Sequence, residues 1–195
     1  MIGTIALIDA CVLHKAVVRD LFMRLSTANI FQPKWSAKIL DEMKRSILSR
    51  DLLNVTPEKP ERTIRFMNRE APEALVTGYE YLMPTVVLTN NEKDRHVLAA
   101  AIHCGADYVI TDDKKLSNDS AFAEHSISTM HPDNFVLALL EEDESAVLAA
   151  IALQIKNLTS PPATPAQHLT NLAAQNLPKT AARLKAIPNL TGRLA

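Results

Sequence analysis

Between residues 9 and 113 four carboxylates stand where an acid needs a reason: Asp9, Glu42, Asp94 and Asp113, with Asp112 beside the last. Asp9 closes the apolar run 4–8, which is too short for a helix and reads as a strand buried on both faces. A carboxylate ending such a strand is costly unless it has partners. Asp94 opens a helix, and Asp112 and Asp113 follow a second apolar run, 108–110. Glu42 falls on the margin of a helical stripe made by Ile39, Leu40, Met43, Ile47 and Leu48, whereas Asp41 points away from it. Converging carboxylates repel each other, so the cluster persists only if a cation neutralises it or some members take up protons. An all-oxygen set suits Mg²⁺ or Mn²⁺ rather than zinc. Such ions most often serve phosphates, where they activate water and stabilise the oxygens of an in-line displacement.

Each acid also has a plain structural explanation. An acid in a first helical turn favours the helix dipole, and Asn91 with Asp94 comes close to a capping box. Glu42 lies four residues after Lys38 and is placed for a surface ion pair. Asp112 and Asp113, followed by Lys114 and Lys115, resemble a solvated turn. Asp9 fits such an explanation least, and the four together are harder to dismiss than any one.

The elements that position these residues alternate in type. The central stretch, 91–116, reads as a helix with Val97, Leu98, Ala101 and Ile102 on its apolar face, stopped by Gly105, then a strand at 108–110 ending in Thr111. Before it the pattern predicts a helix over 11–25, a loop over 27–34, a helix capped by Ser36, two short helices at 61–68 and 72–81, and a buried strand at 85–88. After it come a strand at 126–130, a helix opened by His131-Pro132, and an apolar helix over 146–155. Strands alternating with helices predict an α/β fold, a mainly parallel sheet covered on both sides, with ligands in the crevice at the strands' carboxyl ends. The breaker-rich segment 159–165 is the one convincing boundary, followed by helices starting at Pro165 and Pro178 that bury too little to stand alone.

The totals are those of a globular chain: 195 residues, 47% hydrophobic and 22% charged. No apolar run approaches a membrane span, and the start lacks the basic residues of a secretory signal, so a cytoplasmic protein is expected. The net charge of −1 conceals a basic tail. Residues 157–195 contain Lys179, Arg183, Lys185 and Arg193 and no acid, leaving −5 on the rest. An acidic body argues against coating nucleic acid by charge alone, though a basic tail or patch can touch phosphates. Cys11 and Cys104 are expected as buried free thiols. His96 and His103 are seven apart and lack the spacing of a helical zinc motif. No Gly-rich phosphate loop or G-x-S-x-G elbow is present. Trp35 and Phe31 flank Lys34, with loop packing or base stacking as their two readings.

The segments IALIDACVL, WSAKILDEMKRSIL, NEKDRHVLAAAIHCGADYVIT and TDD resemble the PIN-domain ribonucleases, and among them the VapC-type toxins of bacterial toxin–antitoxin pairs. The resemblance covers about residues 3–140, and its third segment is the most specific. It implies a three-layer α/β/α sandwich, with a PIN-like nuclease domain at 1–140 and a helical C-terminal extension at 141–195. It further implies Mg²⁺ or Mn²⁺ held by Asp9, Glu42, Asp94 and Asp113, with Thr111 as a polar neighbour, and metal-dependent cleavage of a structured RNA. A cognate antitoxin that blocks the cleft and a homodimer are implied as partners. Two departures stand out. Ala10 and Cys11 follow the first Asp where the family often has Asn, Ser or Thr, which predicts a missing hydrogen bond to the cluster. The family's T-x-N-x-x-D-F pattern has Asp113 and Leu116 in place of its Asn and later Asp, leaving Asp112 as the alternative fourth ligand.

Two other functions fit the same residues less well. A receiver-like signalling module also gathers acids and Mg²⁺ at strand ends, but it needs a phosphoacceptor Asp on a middle strand, and 85–88 is followed by Thr89 and Asn90. A PIN fold kept for binding alone, with weak metal affinity, sits poorly with four intact acids.

Overall fold

The structure, a computed structural model, describes residues 3–50, 56–89, 92–159 and 162–194. Five parallel strands lie in the order β3-β2-β1-β4-β5: β1 (Ile5–Ile8), β2 (Gln32–Ser36), β3 (Leu75–Val76), β4 (Tyr108–Ile110) and β5 (Ser128–Met130). The chain builds outward from β1 to β3 on one side, then returns to β1's other flank for β4 and β5. This reversal opens a crevice between β1 and β4 at their carboxyl ends, the usual ligand position in open α/β sheets. Leu7 and Ile8 pair with Val109 and Ile110, and the Asp9 N–H extends the ladder by donating to the Ile110 carbonyl at 3.0 Å. Asp9 and Thr111 are therefore neighbours by register, about 100 residues apart in sequence.

Helices cover both faces, as the alternation predicts. After β1 come α1 (Ala10–Leu13) and α2 (Ala16–Thr27); α3 (Ala37–Arg50) and α4 (Glu58–Glu70) connect β2 to β3. A 3₁₀ turn at Glu92–Asp94 leads into α5 (Arg95–His103), whose Val97 to Ala101 are fully buried against β1 and β2. Gly105, at φ +64°, ends this segment in the left-handed region that glycine occupies at no steric cost. Short α6 (Lys114–Ser117) and α7 (Ala121–Glu124) precede β5, and α8 (Pro132–Glu142) and α9 (Glu144–Asn157) return over α2. Phe22 of α2, Phe31 before β2 and Phe135 of α8 form one aromatic cluster with centroids 5.1–5.9 Å apart.

The tail helices α10 (Pro165–Ala174), α11 (Pro178–Lys185) and α12 (Leu190–Arg193) dock on this body. Thr164 forms a capping box with Gln167 at the start of α10, as Thr164-Pro165 predicts. Buried Asp133 of α8 accepts the backbone N–H groups of Lys179 and Thr180, both at 2.8 Å, at the start of α11. Among the described residues no helix is long and apolar enough to cross a membrane.

Four expectations need correction. The loop over 27–34 contains the start of β2, whose pattern is masked by Gln32, Pro33 and Lys34. Pro33 is tolerated because Gln32 N–H donates to Thr4 O on the β1 side, so Pro33 turns its nitrogen the other way, where β3 pairs only with Trp35 and Ser36. Residues 85–88 form no strand: Val86 and Leu88 are buried and Val87 is exposed, an alternation without a strand partner. The edge place belongs to Leu75–Val76, inside what reads as a helix over 72–81; that segment is instead a 3₁₀ turn, β3, Gly78 at φ +80° and a second 3₁₀ turn at Tyr79–Leu82. The helix over 11–25 is broken at His14 and Lys15, where Lys15 turns extended. The expected helix start at Asn91, the 90–91 approach to it, and residues 160–161 of the linker lie outside the described residues.

Candidate active site

Asp9 sits at the crevice, buried, and every contact on its carboxylate comes from an element end. Oδ1 accepts the N–H of Ala10 at 2.6 Å, which caps α1. Oδ2 accepts the Thr111 hydroxyl at 2.8 Å and the Cys11 thiol at 2.8 Å. The hydrogen bond predicted to be missing after the first Asp is thus supplied by sulfur. Burial pushes the Asp9 carboxyl up from its ordinary value, and these three donors oppose that rise. The Cys11 thiol is itself pushed up, by burial and then by the adjacent Asp9 charge, so it remains protonated and donates.

Thr111 ties the first acid to the last. Its hydroxyl donates to Asp9 and accepts the Asp113 N–H at 3.0 Å. Asp113 then caps α6, accepting from Lys115 N–H at 2.7 Å and Leu116 N–H at 3.4 Å. The turn is not solvated at Asp112, which is paired with Lys15 and has a side chain only 15% exposed. Lys15 holds this place because the helix breaks there.

Asp94, half-buried, ends the 3₁₀ turn and stands directly before the first residue of α5. Its carboxyl is pushed up to about 6, first by burial and then by the charge of Asp9; Glu42 and Asp113 add to the rise and His96 opposes it. Four acids from four elements therefore share one field. Glu42, from α3, is held differently from the others. His96 of α5 places Nε2 3.2 Å from Glu42 Oε1, and Arg45 and Lys38 lie at 3.7 and 4.0 Å from the same oxygen. The expected Lys38 pair is present but is the longest of the three. His96 is buried, and its place beside Glu42 is invisible in the sequence, where it stands between Arg95 and Val97 near a helix start. Trp35 is fully buried with Nε1–H on Asn68 Oδ1 at 2.9 Å, and Phe31 is in the core, so neither can stack on a base. Cys11 and Cys104 are free thiols.

The donor chemistry fits a hydrated divalent cation. The carboxylates raise one another's proton affinity in its absence, and the set is all oxygen. Among the described residues no three His, Cys, Asp or Glu side chains stand close enough to ligate one ion directly. Mg²⁺ commonly keeps several waters and takes only one or two carboxylates, so an ion here would be held partly through water.

Residues 1–115 match the family model described as PIN domain, and residues 132–186 match the model described as VapC50 C-terminal domain. Over 117 residues the chain is 34% identical to a Mycobacterium tuberculosis protein named "Putative ribonuclease VapC50", covering 59% of this chain and 69% of that one. No solved structure is significantly similar to the chain.

Proposed function

Because the chain belongs to the PIN-domain family, in its VapC-type form with a C-terminal extension, we propose that it is a metal-dependent endoribonuclease acting as the toxin of a toxin–antitoxin pair. The observation that carries this reading is the gathering of Asp9, Glu42, Asp94 and Asp113 at one crevice, where burial first and the charges of the other three acids second lift the Asp94 carboxyl to about 6. Asp9, Asp94 and Asp113 would hold Mg²⁺ or Mn²⁺, with Glu42 completing the set and Asp112 kept by Lys15 as a neighbour. When bound, the ion supplies an activated water and stabilises the charge that grows at phosphorus.

The chain's own residues orient this centre. The Cys11 thiol and Thr111 hydroxyl fix the plane of the Asp9 carboxylate, and Thr111 sets Asp113 beside it. His96 stands against Glu42, with Nε2 3.2 Å from Oε1. The substrate is an RNA with structured regions, a cognate antitoxin covers the crevice in the inactive pair, and the active species is a homodimer in the cytoplasm. The nuclease unit comprises residues 1–140 and the extension residues 141–195. Family membership leaves the receiver-like reading without support.

The test is an RNA cleavage screen with Mn²⁺ against EDTA, wild type beside Asp9→Asn, together with melts of both proteins. Cleavage and a rise in melting temperature with Mn²⁺, both lost in Asp9→Asn, are expected, because a ligand of the folded state alone raises apparent stability. Absence of both in the wild type at millimolar Mn²⁺ would leave a PIN fold that only binds.

A further inference from the structure

Three of the four tail cations are engaged: Arg183 and Arg193 both pair with Glu144, at 3.3 and 2.6 Å, and the Lys179 ammonium donates to Asn134. A denser row of positive charge lies on α4. On α4, Lys59, Arg62, Arg65 and Arg69 are all exposed, and at 100° per residue they fall within one third of the helix circumference. Glu61 of the same helix points to α3 and pairs with Lys44 at 2.7 Å, and Arg69 pairs with Glu70. Lys59, Arg62 and Arg65 have no carboxylate partner among the described residues.

Phe66 lies among these cations and is 47% exposed, an unusual place for a phenyl ring on the solvent side of a helix. The Arg69 guanidinium sits 5.2 Å from its centroid. Between α4 and α2 runs a cleft of about 290 Å³ lined by Lys59, Arg62, Phe66, Arg19 and Asp20, the last neutralised by Arg24 at 2.8 Å. α4 itself packs on α3, which carries Glu42, and on α2, which begins directly after Lys15, the partner of Asp112.

We propose that this face of α4, with Lys59, Arg62 and Arg65 on phosphates and Phe66 under a base, is where an unpaired stretch of the substrate RNA lies. The proposal rests on the nuclease reading above and adds the place and single-stranded form of the RNA. A row of cations alone fits any polyanion, an acidic peptide included. The exposed ring among them favours single-stranded RNA, since every base presents a π-face and stacking with tracking cations is how unpaired strands are held.

The experiment is fluorescence anisotropy of a labelled single-stranded oligoadenylate with the full chain in EDTA, across a salt series, so that binding is read without cleavage. Removal of one cation from a phosphate should reduce the log–log salt slope by about 0.7. Arg62→Ala/Arg65→Ala is expected to bind at least ten-fold more weakly with a slope smaller by about 1.4. Arg62→Lys/Arg65→Lys should retain the slope. Phe66→Ala should weaken binding several-fold with the slope unchanged, and Lys185→Ala on the tail should change neither. Equal affinity and slope in the wild type and the double alanine variant, or no binding by the wild type, overturns the proposal. So does a polyglutamate peptide that competes equally while Phe66→Ala has no effect, which would make the face a site for an acidic protein. Mn²⁺-dependent cleavage by the wild type is scored separately: cleavage without a role for α4 removes this surface alone, whereas α4-dependent binding without cleavage removes the nuclease reading.

Discussion

Asp94→Asn should make the metal-free protein more stable at neutral pH, the opposite of what most substitutions at a helix start do. The unfolded carboxyl titrates at 3.8 and the folded one at about 6, so the folded state binds the proton more tightly. The stability associated with that proton is fully present below 3.8 and is lost as pH rises to about 6. Above this the wild type carries an ionised carboxylate facing three others. At full burial the displacement corresponds to about 3 kcal/mol. Asp94 is half-buried, and solvent screening brings the expectation to about 1 kcal/mol. For a chain of this size that is a rise of about 2–4 °C in melting temperature. Asparagine keeps the shape and the hydrogen-bonding capacity of the side chain and removes only the charge. The assay is a pair of thermal melts in EDTA at about pH 7.5 and pH 4.5, on either side of the folded value. The variant should melt higher than the wild type at the first pH, with the gap narrowing at the second. With Mn²⁺ the order should invert, because only the wild type gains the ion's binding energy. A variant less stable at the higher pH, or a gap independent of pH, would refute the raised Asp94 carboxyl.

Two further expectations concern the tail. His168 of α10 is fully buried with both ring nitrogens lacking hydrogen-bond partners among the described residues, and burial holds its pKa below the ordinary 6.5, with Asp20 opposing. Its neutral form is the folded one, so the associated stability is complete above 6.5 and falls as pH drops below it; His168→Leu should shrink the difference between urea midpoints at about pH 8 and pH 5, and an unchanged difference would count against it. Asp133→Ala leaves the N–H groups of Lys179 and Thr180 without their carboxylate, the second of them buried, at a cost of about 2 kcal/mol. Urea melts should show the loss, and limited proteolysis should cut between α10 and α11 first.

Much of the sheet was legible because its central strands advertise themselves. Residues 5–8 and 108–110 are apolar without interruption and lead into acids, Asp9 directly and Asp112 after Thr111, which is what a strand buried on both faces and ending at a crevice looks like. The Gly105 stop and the Thr164 cap are equally local: α5 ends just before the first, and α10 begins directly after the second. The strands on one flank of β1, namely β2 and β3, were not legible. β3 is two residues long and β2 carries Pro33 and Lys34, so neither makes a run, and their pairing depends on partners distant in sequence. Residues 85–88 show the reverse case, in which an alternating pattern reflects packing on the body without a ladder. At the candidate site the acids could be singled out by position, since each sits at an element end or on a stripe's margin. Their support could not: nothing local says that Lys15 would leave its helix for Asp112, that His96 would face Glu42, or that a cysteine would replace a hydroxyl on Asp9.

The clamp between Asp133 and the start of α11 also sets an order of events during synthesis. Lys179 and Thr180 follow Asp133 by 46 and 47 residues. At ribosomal rates of about 5–20 residues per second, roughly two to nine seconds separate them. For that interval the emerging chain has a complete set of strands, while one carboxylate on α8 still faces water and the apolar seat of Leu177, Ala181 and Leu184 stands open. The nascent protein therefore passes through a stage in which its sheet is made and its cover is not, and the helices that follow 159–165 are the ones that close it.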